Sequence, residues 1–233
     1  MKHLLTIPLA SLIIACVACD EGRIYDETGV ADKSGVTATL SGYVSGNAEW
    51  GDGYALSLAG FTDGSDYAII SKDVMPDSEG RCDFILEGIP SETNTVELCI
   101  IDRLRRRVAT FVAAECRNAD VRLVADGIDI SMFGAIQRDI FTTTCAQCHG
   151  GAGTGAANLL LTEGESYSNL VGVPSVKEPG MQRVLAGDAA QSLLYEILAS
   201  DVSATWHYDH SVEVVEPTKL DLIRNWINYG ASR

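Results

Sequence analysis

The sequence predicts a two-part fold: an all-β sandwich over residues 36–126, followed by a small all-α domain over residues 127–233. Three observations carry this expectation. From Val36 onward, apolar and polar residues alternate in short runs broken by Gly, Asp, Asn and Pro, the period of half-buried strands. After Asp126 the apolar spacing widens to three and four residues, the period of helices with one apolar face. Ahead of both lies a stretch that belongs to neither, and its 35 residues read as leader and tether.

The leader is "MKHLLTIPLASLIIACVAC", residues 1–19. Lys2 precedes an apolar run from Leu4 to Ala18, shorter than a comfortable membrane span and of the length of a signal-peptide core. The run ends in cysteine twice. Small residues before Cys resemble a bacterial lipobox, in which the Cys becomes the lipidated first residue of the mature protein. Ile13-Ile14-Ala15-Cys16 matches that pattern more closely. Cys19 gives the longer core and stands where the run stops at Asp20 and Glu21. The expectation is lipidation of Cys19, with Cys16 as the alternative. Residues 20–35, polar with Gly22, Gly29 and Gly35 and no helical period, read as a tether.

Seven runs then qualify as strands: "VTATLSGYV", "YALSLAGF", "DYAIIS", "CDFILEGIP", "TVELCIID", "RVATFVAA" and "DVRLVA". Short strands closely spaced and punctuated by turn residues suggest a sandwich. "GRCDFILEGIPSETNTVELCI" resembles, loosely, the prealbumin-like, carboxypeptidase-regulatory-like or Ig-like sandwiches of exported proteins. No catalytic constellation stands out in this half. The cluster Arg103, Arg105, Arg106 and Arg107 falls where a hairpin should turn and reads as a solvated turn. Cys82, Cys99 and Cys116 are odd in number, so at most two can pair with each other.

Three helices follow from the wider period. "SMFGAIQRDIFTTTC" opens on Ser131 as N-cap and places Met132, Phe133, Ile136, Ile140 and Phe141 on one stripe. "GDAAQSLLYEILA" has Asp188 as cap and an apolar face of Leu193, Leu194, Ile197 and Leu198. "EPTKLDLIRNWINYG" has Pro217 in the first turn and Gly230 past the end, with Leu220, Ile223 and Ile227 on one face beside Trp226. Their connections are long and Gly-rich, and call for something to pack around.

Charge narrows the function. The chain carries 32 acids against 17 bases, a net −15. That excludes nucleic acid held by electrostatics and unassisted docking on anionic lipid.

Chemistry concentrates in "TTTCAQCHGG", residues 142–151. Cys145, Cys148 and His149 form Cys-x-x-Cys-His. A zinc site would want a second Cys or His pair, and no second Cys pair follows. A thioredoxin-like dithiol would sit in a βαβ unit, whereas the period here is helical. Covalent haem attachment fits better: two thiols add to the two vinyl groups, and the adjacent His reaches the iron from one face. Export supplies the compartment in which such attachment occurs.

Residues 137–231 resemble a mono-haem cytochrome c domain of exported bacterial proteins. Beyond Cys-x-x-Cys-His-Gly-Gly, the likeness lies in Leu159 and Leu161, then Tyr167, Leu170, Val171, Pro174 and Ser175. It continues through Pro179, Gly180, Arg183, Val184, Gly187 and Asp188, then Ser192, Leu193, Leu194 and Tyr195. It closes on Ile223, Arg224, Trp226, Ile227, Gly230 and Ala231. The resemblance implies one haem c per chain and electron transfer rather than enzymatic catalysis. It further implies a redox protein or quinol-linked complex as partner. With the lipid anchor, the expected location is the bacterial outer membrane, facing the periplasm or the cell surface.

The chain departs from that family at one place. The family's second axial ligand is a Met in a Met-Pro step before the closing Trp. Here the region reads "TWHYDHSVEVVEP", without Met. His210 is the expected distal ligand, with His207 and Met181 as alternatives. Trp206 and Tyr208 are expected as pocket wall, and Asp209 as a hydrogen-bond partner of an imidazole. If no side chain ligates there, the alternative is a haem protein with an open distal site, of ligand-binding or peroxidase-like function.

Overall fold

Seven strands form where the sequence alternates: β1 (Val36–Ser45), β2 (Tyr54–Phe61), β3 (Ile70–Asp73), β4 (Arg81–Ile89), β5 (Thr95–Asp102), β6 (Arg107–Glu115) and β7 (Val121–Asp129). The structure, a computed structural model, describes residues 35–46, 50–151 and 155–233, the side chain of Trp206 excepted. The leader, Cys16, Cys19 and the tether up to residue 34 lie outside the described residues.

Two sheets make a sandwich. One has the order β4-β1-β7, with β1 antiparallel to β4 and parallel to β7; the other is β3-β2-β5-β6, antiparallel throughout. Alternate residues turn inward and fill the space between them: Leu40 from β1, Leu58 from β2, Leu98 and Ile100 from β5, and Leu123 from β7. β1 and β7 approach so closely that a Cβ on Gly42, whose φ is +129°, would lie 1.9 Å from the Ala125 carbonyl oxygen. No other residue fits there.

β5 is buried on both faces. Glu97, Cys99 and Ile101 face away from the inter-sheet core and are covered as well, Cys99 and Ile101 in a second cluster with Phe61 and Ala68. Glu97 accepts hydrogen bonds from Arg107 (2.6 Å), Thr110 (2.7 Å) and Thr95 (3.1 Å), so its charge is paired rather than stranded. The arginine cluster therefore divides. Arg103 and Arg105 are exposed at the hairpin tip, while Arg107 turns back onto Glu97 and Asp66. Cys82, Cys99 and Cys116 are all buried and unbridged.

The expected small all-α domain over residues 127–233 does not form. The helices there are α1 (Met132–Ile136), α2 (Ala146–His149), α3 (Ser166–Leu170), α4 (Leu193–Ala199), α5 (Ser203–Trp206) and α6 (Pro217–Asn228), and only α6 reaches 12 residues. π-helical turns over Gln137–Cys145 join α1 to α2. Between α3 and α4 the chain makes isolated β-bridges, Val171 with Val184 and Gln182 with Ser192. Helices of four to seven residues are not stable alone, and these rest on the sandwich. Ala109 of β6 is part of their core, and Trp50, Tyr54, Val108 and Phe111 pack against both cores. Arg138 donates to the Thr110 carbonyl at 2.9 Å and lies over the Phe111 ring. Asn225 of α6 donates to the Tyr54 hydroxyl. Residues 34–233 are accordingly one compact unit. No described helix is long and apolar enough to cross a membrane.

Candidate functional site

The Cys-x-x-Cys-His stretch is held by the helix that leads into it. The Ser131 hydroxyl accepts from Gly134 N at 2.9 Å and starts α1. Ile136, Ile140 and Phe141 then bury the inner side. Buried Gln137 donates to the Leu161 carbonyl at 3.1 Å and accepts from Ser166, which fixes the following loop to the helix. The Thr143 hydroxyl donates to the Asp139 carbonyl at 2.9 Å, a side-chain bond that competes with regular helix pairing and accompanies the wider π turns.

Spacings of three and four residues put Cys145, Cys148 and His149 on one side of the turn. Cys145 is partly buried against the C-terminal core, Cys148 is exposed, and His149 is intermediate. Burial, then the Glu213 carboxylate, pushes the Cys145 thiol up to about 11. The His149 Nδ1 lies 3.0 Å from the Ala156 carbonyl oxygen. A carbonyl only accepts, so Nδ1 is the donor and Nε2 is the nitrogen left to face a ligand. A metal-ligating histidine is prepared in this way. The His149 carbonyl in turn accepts from Leu161 N at 2.7 Å.

His210 faces this ring from the other side. It begins a single 3-10 turn, His210–Val212, capped by Asp209, whose Oδ1 accepts from Ser211 N (2.9 Å) and Ser211 Oγ (2.6 Å). Asp209 is thus engaged with Ser211. Val214 is buried and pins the end of the loop. The His149 and His210 ring centroids are 6.5 Å apart with planes inclined by 26°. Two metal–nitrogen bonds of about 2 Å, plus the depth of each ring, span roughly 6 Å. The centroid separation is wide enough for one metal atom between the two imidazoles. Burial, and secondarily the His149 ring, holds the His210 imidazole below its ordinary pKa, while Glu213, the Tyr208 backbone and Asp209 oppose the shift. The neutral form, the one that ligates, is favoured.

Both rings line a cavity of about 370 Å³, within the range of small-molecule and cofactor sites. Leu159, Leu170, Val176, Leu193, Leu194 and Ile197 make its apolar walls. Cys148, His149, Tyr208 and His210 also line it, as do two cations, Lys177 and Arg183, and among the described residues no Asp or Glu does. In a chain of net charge −15 that bias is specific to the place. Arg183 is only 9% exposed. Its guanidinium donates to the carbonyls of Asn169 (2.8 Å), Ala157 (3.2 Å) and Asn158 (3.2 Å). Ala157 and Asn158 hold left-handed φ values of 57° and 52°, a conformation that costs free energy and recurs at ligand clamps. Burial draws the Arg183 pKa down, and no carboxylate among its hydrogen-bond partners offsets the charge.

Among the described residues no three His, Cys, Asp or Glu side chains converge to hold a metal ion. Two imidazoles are too few donors for a bare ion, which ordinarily takes four. A metal at this gap fits only if it brings further ligands with it. A planar apolar macrocycle with acidic edges meets that condition, and the thiols, the apolar walls and the cations suit it.

The structure brings together Cys148, His149 and His210 on one cavity, with Cys145 one turn away. Met181 is not among the lining residues, and its backbone closes a turn with Ser175 and Glu178. His207 is exposed, has φ of 62° and ends α5. Tyr208 is pocket wall. Sequence reasoning gave no role to Lys177 or Val176, and Arg183 entered it only as one residue of the matched step from Pro179 to Asp188, the one signal that marked it. Comparison with family models, with curated proteins and with solved structures gave no match.

Proposed function

We propose that the protein is a c-type electron carrier, binding one haem through Cys145 and Cys148 with His149 and His210 as the two axial ligands. The observation that carries this reading is the pair of imidazoles 6.5 Å apart across an apolar cavity beside the Cys-x-x-Cys pair. When bound, the haem iron supplies a one-electron ferric–ferrous couple. The chain's own residues do the rest. Ala156 holds the His149 proton on Nδ1 and so presents Nε2. The leucines and Ile197 would keep water from a bound metal, and Lys177 and Arg183 would offset the charge of an acidic cofactor in the cavity. A second imidazole in place of Met lowers the reduction potential. Electrons would pass to or from a redox protein or a quinol-linked complex, a basic face on which would match the acidic surface. The apolar run ending at Cys19, or at Cys16, supports export and a lipid anchor in the bacterial outer membrane, facing the periplasm or the cell surface.

The test is the absorption and paramagnetic-resonance spectrum of the purified protein and three variants. Wild type, His207→Ala and Met181→Ala are expected to be six-coordinate and low-spin, and His210→Ala high-spin. A high-spin wild type would turn the reading toward ligand binding or peroxide chemistry at an open site. A low-spin His210→Ala would place the second ligand elsewhere.

A further inference from the structure

We infer that Tyr208 is a positioning residue for His210, its ring bracing the imidazole and its hydroxyl, held by Glu213, closing the loop that carries it. The inference rests on His210 being the distal ligand, as proposed above. The segment around His210 has little regular structure of its own. One 3-10 turn of three residues is marginal, and the left-handed His207 and the buried Val214 bound it.

Two contacts cross that turn. The Tyr208 ring meets the His210 ring at 4.8 Å between centroids and 72° between planes, the edge-to-face geometry that rings prefer. The Tyr208 hydroxyl donates to a Glu213 carboxylate oxygen, so residues on either side of His210 are stapled together with the histidine between them. Tyr208 is 48% exposed, so hydrophobic burial alone does not account for its place. A histidine so braced is already near the position it takes on the metal, and the ordering cost of ligation falls.

Carbon monoxide binding to the reduced protein reads this directly, because the gas must displace His210 and its rate follows the release of that ring. Tyr208→Ala is expected to raise the rate by about tenfold, the scale of an aromatic edge contact plus a hydrogen bond. Tyr208→Phe, which keeps the ring, is expected to give a smaller rise, and Glu213→Ala, which removes the acceptor, to match it. The double variant Tyr208→Phe with Glu213→Ala should equal either single one. A purely structural role would lower the urea midpoint without this pattern. A Tyr208→Ala rate within twofold of wild type overturns the inference. If the chain carries no haem, the proposed function fails by itself. The brace is then read in the haem-free chain from the His210 ring-proton shifts: Tyr208→Ala abolishes their ring-current displacement if the contact exists, and leaves them unmoved if it does not.

Discussion

Arg183 shows how a single residue can state what a cavity is for. Its guanidinium ties the Asn169 carbonyl of α3 to the Ala157 and Asn158 carbonyls of the loop before it, which is a structural role, yet it also brings a charge without a carboxylate among its hydrogen-bond partners to a largely apolar cavity. Replacing it with Gln is expected to cost about 1–3 kcal/mol of stability through the carbonyls left without a donor, measured by urea denaturation. It should also lower the midpoint potential, because removing a nearby cation favours the oxidised, more positive metal; Arg183→Lys should recover part of that shift. His210 supplies a second expectation. Burial lowers its pKa in the folded chain, so below the ordinary histidine value of about 6.5 the unfolded state binds more protons. Stability of the haem-free chain should therefore be full at pH 7.5 and decline as pH falls below about 6.5. His210→Gln should remove that part of the decline, as followed by urea midpoints at pH 7.5 and 5.5. That Cys148, His149 and His210 meet on one cavity was legible in the sequence, from the Cys-x-x-Cys-His spacing and from a histidine standing where a Met was expected. Lys177 and Ile197 were not, because they reach the cavity from segments whose meeting no local pattern records.

Among the elements, the strands are written most plainly. β2 and β5 coincide with the alternating runs "YALSLAGF" and "TVELCIID", since each side chain there has one face to satisfy. "DYAIIS" divides instead: Tyr67 and Ala68 pair with the β5–β6 turn at Arg106 and Arg105, and the chain joins β2 from Ile69, whose N–H donates to the Gly60 carbonyl. Helical period reports which side of a segment is apolar and says nothing of its length. Hence α1 stops at Ile136 and continues as π turns, although the stripe from Met132 to Phe141 is unbroken and buried. That stripe is anchored by Phe133, whose ring lies 5.2 Å from both Tyr167 and Trp226 and 6.3 Å from Phe141. Phe133→Ala is expected to cost about 3–5 kcal/mol, read from thermal or urea unfolding. Ser131→Ala should cost about 1 kcal/mol through the lost cap.

For the molecule as a whole, the decisive feature is that the site is built on the sandwich rather than beside it. Trp50, Tyr54, Val108 and Phe111 serve two cores at once, so a chain of residues 127–233 alone lacks one wall of its own core. It is expected to show no cooperative unfolding and little amide protection, whereas residues 34–233 unfold in one transition; hydrogen exchange and denaturant titration distinguish the two. The expectation of a separate all-α domain failed for this reason: the sequence displays apolar faces without showing which of them is covered by strand β6. The same dependence gives the sandwich a role, holding the helix that presents His149 at a fixed distance from the loop that presents His210. The central claim, that this framework carries a covalent haem, is tested most directly by acid-acetone extraction of protein made in a host competent for cytochrome c maturation, followed by an absorption spectrum of the precipitated chain. Haem absorbance that stays with the polypeptide, and leaves it in the Cys145→Ala, Cys148→Ala variant, is the result expected. Haem released entirely into the acetone, or none bound at all, would contradict the account.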